Sequence, residues 1–175
     1  PYRDYYPPSK SYYHDKRVIL IIRDVRDVMV SYYYQCTRRE RLFEGTLSQF
    51  IRDHAFGMPR LMPFLKDWYE HRTVPEKLLL VRYEDMQLDK VATFRAIADF
   101  MDIRYGNDLR VKKAIEFGSF DRMREMERSG EYRDARLGPT NTHDPEAFKL
   151  RRGKIGSYQE EMSADDLAYI SEQVA

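Results

Sequence analysis

The chain has 175 residues, 42% hydrophobic and 34% charged, which suits one globular domain around one core and excludes disorder as its dominant state. Its 30 basic and 29 acidic residues cancel to a net +1. No bulk cationic field therefore exists to drive binding to nucleic acid or to a membrane surface, and any anion must be held locally. A single cysteine, Cys36, excludes an intrachain disulfide framework and a thiolate-rich zinc site, fits a reducing cytoplasmic compartment, and is expected in the core. The longest apolar run, VILII at 18–22, falls far short of the ~20 residues that span a bilayer. Of the 30 basic residues 21 are arginine, which favours fixed bidentate grips on carboxylate, phosphate or sulfate groups.

In chain order, residues 1–16 carry Tyr, Pro and charge without a period and read as an irregular arm. RVILIIR at 17–23 predicts a strand buried on both faces. A helix over 24–40 follows, with Val25, Val28, Met29, Tyr32 and Tyr33 at spacings of three and four. Thr46 is a helix cap for a segment through about 56, and Pro59 opens another helix that Pro63 shifts or kinks. KLLLVR at 77–82 predicts a second strand, YEDMQL a loop, and 89–101 a helix with Val91, Phe94, Ile97, Ala98 and Met101 inward. Helices are expected at 107–117 and 119–126. Residues 127–150 read as a long loop, and Ser163 with Asp166 resembles a capping box opening a last helix to 173.

The order strand, helices, strand, helices predicts an α/β fold with a parallel sheet flanked by helices, in a single domain over 1–175. Two strands are few for runs so aliphatic, so part of the sheet is expected to lie before Pro1.

The informative stretch is IIRDVRDVMVSYYYQ at 21–35. An arginine ending a buried strand just before a helix sets a guanidinium beside free backbone N–H groups, in the crevice where α/β proteins bind ligands. On spacing alone the plainer reading stays open, in which Arg23 pairs with Asp27 and Arg26 with an acidic neighbour.

This run resembles the 3′-phosphate-binding motif of sulfotransferases that use 3′-phosphoadenosine 5′-phosphosulfate (PAPS). In that family a strand-end arginine and a serine eight residues on hold the 3′-phosphate, which implies Arg23 and Ser31 here, with Val25 in place of the usual proline. LLLVRYEDM at 78–86 is similar to the family segment whose tyrosine lies against the nucleotide, implying Tyr83. GSFDRM at 118–123 resembles the TSF segment near the adenine, implying Phe120 as the stacking residue. FKLRRGKIGSYQ at 148–159 resembles the RKGxxGDW segment that closes over the 3′-phosphate, implying Arg151, Arg152 and Gly153, with Ser157 and Tyr158 replacing Asp and Trp.

The resemblance implies the P-loop-like sulfotransferase fold and transfer of SO₃ from PAPS to an acceptor hydroxyl or amine, releasing adenosine 3′,5′-bisphosphate (PAP) without a metal. It implies a small-molecule or carbohydrate acceptor, no nucleic-acid partner, and residues 127–150 as a lid. The family's phosphosulfate loop has no counterpart in these residues. Its K-x-H base segment would fall at or before Pro1, and His14 lies too close to the strand to match it. His54, His71 and His143 read as surface or loop histidines, and no pair has metal-site spacing. Two other readings remain. A nucleotide kinase on a related sheet requires a G-x-x-x-x-G-K-[ST] segment, which these residues lack, and a noncatalytic arginine-rich anion-binding domain fits poorly with near-neutral charge.

Overall fold

The computed structural model describes residues 9–132, 138, 141 and 143–175. Half of the expected N-terminal arm, residues 1–8, and positions 133–137, 139, 140 and 142 of the expected lid lie outside the described residues. The chain forms two compact units, one from residues 1–23 and 63–111, the other from 24–62 and 112–175.

In the first unit, β1 (Arg17–Ile22) and β2 (Lys77–Arg82) pair in parallel, with Arg17 opposite Lys77 and Ile22 opposite Arg82. Both strands lie where the aliphatic runs predicted them. Their burial differs from expectation. Ile21 is 57% exposed and Leu80 54%, and the register puts these two on opposite faces of the ladder. Among the described residues each strand has only the other as hydrogen-bonded neighbour, and the exposure of Ile21 and Leu80 leaves each strand partly open on one face.

Helix α4 (Tyr83–Leu88) directly follows β2, where the sequence suggested a loop. YEDMQL has no Gly or Pro, and Glu84 and Asp85 in the first turn complement the helix dipole. Asp89 then caps α5 (Lys90–Phe100) by accepting from Ala92 N. Ala98 is buried as expected, whereas Met101 is the C-cap and 51% exposed, because the chain leaves the helix there and Asp102 turns to φ +54°. The arm from Ser9 onward is anchored: a 3₁₀ turn spans Lys10–Tyr13, Tyr13 packs on Trp68 with ring centroids 5.1 Å apart, and the Lys10 ammonium lies 4.5 Å over the same indole.

The second unit is helical. Asp24 caps α1 (Val25–Tyr34), and the expected helix continues to Arg39 as a π-helical turn over Gln35–Arg39. Thr46 and Gln49 form a full capping box on α2 (Leu47–Arg52), which is shorter than expected because Asp53 leaves the helix with ψ 134°. Helix α3 (Met58–Glu70) contains Pro63; its residues to Met62 belong to this unit and the rest to the first. Helix α6 (Asp108–Phe117) likewise contributes residues from Lys112 on.

Helix α7 (Phe120–Ser129) starts on the Ser119 cap and ends at Gly130, which adopts φ 72°. The expected loop therefore begins three residues late. A left-handed glycine after the last helical residue is the signal that marks such an end. A 3₁₀ turn at Pro145–Ala147 interrupts the rest of that loop, followed by α8 (Tyr158–Glu161) and α9 (Ala164–Val174), the latter opened by the predicted Ser163/Asp166 capping box.

The core of this unit joins Met29, Ile51, Met58 and Ile170, with Val25, Val28, Tyr32 and Leu47 packed around it. Phe50 is fully buried in edge-on contact with Tyr32, Tyr33 and Phe43. Cys36 is in the core as expected, and burial pushes its thiol up to about 11. A buried ion pair joins Arg39 to Glu127 at 3.1 Å; Glu127 also accepts from the Lys149 and Leu150 amides, while Arg39 donates to the Gly138 and Ala147 carbonyls. These bonds settle both charges in an apolar surrounding, where an unpaired one would cost several kcal/mol.

Candidate functional site

In the first unit, Arg23 follows β1 and Tyr83 opens α4 directly after β2. Parallel strands in register end together, so both side chains emerge at the carboxyl end of the ladder. The Arg23 guanidinium lies 4.4 Å from the centroid of the Tyr83 ring, a cation–π contact that fixes its planar fork. The structure thus brings together two residues that are 60 positions apart in the sequence.

In the second unit, Ser31 is exposed on α1, one helical turn beyond Asp27. Asp27 does not lie along an exposed face. It is 1% exposed, and its carboxylate accepts from Gly156 N at 2.8 Å, Ser157 Oγ at 3.0 Å and Tyr158 N at 3.2 Å. Arg26 does pair with an acidic neighbour, as the plainer reading had it: its Nε and Nη2 bond the Asp24 carboxylate at 2.9 and 2.5 Å. Its guanidinium also lies 4.1 Å from the Tyr158 ring.

The Arg151–Gly153 segment is held from several sides. Arg151 is 10% exposed at its side chain, bonds Glu146 at 2.9 Å and Glu161 at 3.1 Å, and stacks 4.0 Å over the Tyr34 ring. The Tyr34 hydroxyl donates to Glu161 at 2.9 Å, and burial together with that carboxylate raises its pKa to about 12. Arg152 is more open, at 39% side-chain exposure, with longer contacts of 3.6, 3.4 and 3.2 Å to Glu146, Glu160 and Glu161.

Gly153 sits at φ +61°, and a Cβ there would lie 2.6 Å from the Phe120 ring. Both the backbone angle and the close ring therefore require glycine. Phe120 and Gly153, implied by two separate segments of sequence, are in contact. Arg124 extends this arrangement, lying 5.9 Å from Phe120 and 5.5 Å from Phe148 and donating to the Arg151 carbonyl.

The residues that sequence reasoning did not single out are Asp27 as an anchor, Tyr34, Arg124 and Glu127. Asp27 left a trace, an acid in the first turn of a helix and four residues before Ser31. The others make bonds across more than 20 residues of chain, for which local spacing carries no sign. Chemically, the first unit provides a guanidinium fork beside a tyrosine face, and the second provides a helix hydroxyl and a basic loop whose glycine lies against a phenylalanine ring; each is a combination suited to a nucleotide phosphate. Among the described residues no group of three or more His, Cys, Asp or Glu side chains is placed to hold a metal ion, and no helix is long and apolar enough to cross a membrane.

Comparison with known proteins points the same way. The chain is 25% identical to cytosolic sulfotransferase 10 of Arabidopsis thaliana over 85% of its own length and 46% of that protein. It is also 25% identical to flavonol 3-sulfotransferase of Flaveria bidentis over 88% of its length and 55% of that protein. It thus spans about half the length of the curated relatives it matches. Its fold superposes on a mouse sulfotransferase solved as a complex with PAP, with a TM-score of 0.68 at 19% identity, covering 90% of this chain and 56% of that one. The sulfotransferase domain model matches residues 5–174, a range that takes in both strands, the RRG segment and all of α9, and by that match the chain belongs to the sulfotransferase domain family.

Proposed function

We propose that this chain carries the 3′-phosphate-binding part of an enzyme that transfers SO₃ from PAPS to an acceptor hydroxyl or amine and releases PAP. The observation that carries the reading is the occurrence, in family order, of Arg23, Ser31, Tyr83, Phe120 and Arg151–Gly153 within a chain matched by the sulfotransferase domain along residues 5–174. The donor supplies a sulfuryl group whose bond to the 5′-phosphate oxygen breaks as a bond to the acceptor oxygen or nitrogen forms, the acceptor proton passing to a base.

This chain's residues contribute binding and orientation. Arg23 gives a charge-assisted fork, Ser31 a hydroxyl, and Arg152 with the Gly153 amide a closing contact on the 3′-phosphate. Tyr83 and Phe120 offer flat faces for the nucleoside. Holding the donor in one pose removes translational and rotational freedom before transfer, and the 3′-phosphate contacts separate the donor from ATP. The Arabidopsis and Flaveria relatives, one named cytosolic and one named for a flavonol, support a cytoplasmic location and a small hydroxylated acceptor.

The test is titration calorimetry with PAP against ATP on the wild type, Arg23→Ala and Ser31→Ala. PAP binds the wild type more tightly than ATP does. Arg23→Ala costs ~1.5–3 kcal/mol of PAP affinity and Ser31→Ala ~1 kcal/mol, the difference between a charged and a neutral hydrogen bond. Unchanged PAP affinity in both folded variants refutes the assignment.

A further inference from the structure

The basic loop is pinned at two places, and the second involves a residue that phosphate recognition does not call for. At one end Gly153 lies against Phe120. Three residues on, Gly156 N, Ser157 Oγ and Tyr158 N all converge on the carboxylate of Asp27, 129 to 131 positions earlier. Three consecutive loop residues and one buried carboxylate thus fix a turn in which Gly156 itself adopts φ +76°.

Asp27 and Ser31 are four apart on α1, so they project from one side of that helix. A loop tied to Asp27 is therefore tied to the helix that presents Ser31. The chain from Gly153 to Gly156 reaches at most about 11 Å, so the tether limits where the Gly153 amide and the Arg152 side chain can lie.

We propose that Asp27 is the positioning residue of the 3′-phosphate site, holding the Arg151–Tyr158 loop on α1 so that its basic end meets the same phosphate as Ser31. The proposal rests on the reading of Ser31 and Arg152 as phosphate ligands. A carboxylate is required because three donors converge on it. An asparagine of the same shape would turn an N–H₂ group toward at least one of them, losing a bond and adding a repulsive contact. Ser157→Ala removes one of the three bonds and leaves both backbone donors in place.

The experiment measures PAP and adenosine 5′-monophosphate binding by calorimetry to wild type, Asp27→Asn and Ser157→Ala, with hydrogen exchange at residues 153–158 in the nucleotide-free protein. Asp27→Asn weakens PAP roughly tenfold or more and Ser157→Ala roughly threefold, in keeping with the loss of charged and single hydrogen bonds. Adenosine 5′-monophosphate, which lacks the 3′-phosphate, stays within about twofold, since only contacts to the missing group are moved. Exchange at 153–158 accelerates in both variants. Equal losses for both nucleotides show a purely structural role and overturn the proposal, as does wild-type PAP affinity in Asp27→Asn. If Asp27→Asn does not fold, Ser157→Ala decides by the same comparison. A wild type that fails to bind PAP overturns the functional reading, and the proposal with it; a wild type that binds while the variants bind equally well overturns the proposal alone.

Discussion

Arg151 and Arg152 are neighbours in sequence with different surroundings, and the difference predicts different phenotypes. Arg151 is nearly enclosed between two carboxylates and the face of Tyr34, whereas Arg152 keeps 39% of its side chain exposed. Removing one member of a mostly buried ion-pair cluster leaves the others poorly solvated, so Arg151→Ala is expected to lower stability by roughly 2–4 kcal/mol. Arg152→Ala is expected to cost under ~1 kcal/mol of stability, as exposed pairs do, while reducing the preference for PAP over adenosine 5′-monophosphate. Thermal melts paired with calorimetry read both quantities. A stable Arg151→Ala protein with lost PAP selectivity would reverse the two roles. Gly153 shows the same principle without charge: no other residue meets both its φ of +61° and the ring of Phe120.

Elements in the second unit are joined by side chains that serve two purposes at once. Asp166 closes the capping box of α9 with Ser163 and also accepts from Ser48 at 2.7 Å and Arg52 at 2.5 Å, both on α2. Burial opposes ionisation of this carboxyl, yet the bonds from Arg52, Ser48 and Ser163 together outweigh it and hold its pKa below the ordinary 3.8. A carboxyl whose folded pKa is depressed stabilises the fold fully above its unfolded value, and this contribution is lost as pH falls through the folded value. Stability should therefore fall as pH drops below ~4, and Asp166→Asn should flatten that part of the profile while lowering the melting temperature near neutrality. Melting curves from pH ~7 to ~3 provide the check; an unchanged acid slope in the variant would assign the loss to other carboxyls. The same dual use appears in Glu127, which lies in the last turn of α7, pairs with Arg39 and accepts from the amides of Lys149 and Leu150.

At the scale of the whole molecule, the two-stranded ladder leaves aliphatic surface open. Ile21 and Leu80 are more than half exposed, one on each face of the sheet. Exposed aliphatics on a paired strand are sites for hydrophobic contact. In the 175-residue chain, replacing both with threonine, which retains β propensity, should reduce binding of an apolar fluorescent dye. The melting temperature should shift by no more than ~4 °C, as for a surface change. Undiminished dye binding would place the accessible apolar surface elsewhere.

Strands β1 and β2, the capped starts of α2 and α9, and the burial of Cys36 were legible in the sequence, because continuous aliphatic runs, N-cap residues and a lone thiol act through neighbours a few positions away. The resemblance of four segments to one family carried the candidate site residues as well. What local pattern did not reveal depends on partners distant in the chain. YEDMQL is a helix, and Gln35–Arg39 a π turn, in positions where period alone is ambiguous. The strands are half covered because coverage is a property of which neighbours pack on them. Arg151 is enclosed by Glu146, Glu161 and Tyr34, and Asp27 is turned inward to meet Gly156, Ser157 and Tyr158. Sequence determines which groups can carry charge and which stretches regularise; only the tertiary structure decides which charge is spent on another side chain and which is left to face a ligand, since that choice is set by distances in space between groups whose separation in the chain runs from five positions, for Arg151 and Glu146, to more than a hundred, for Asp27 and Ser157.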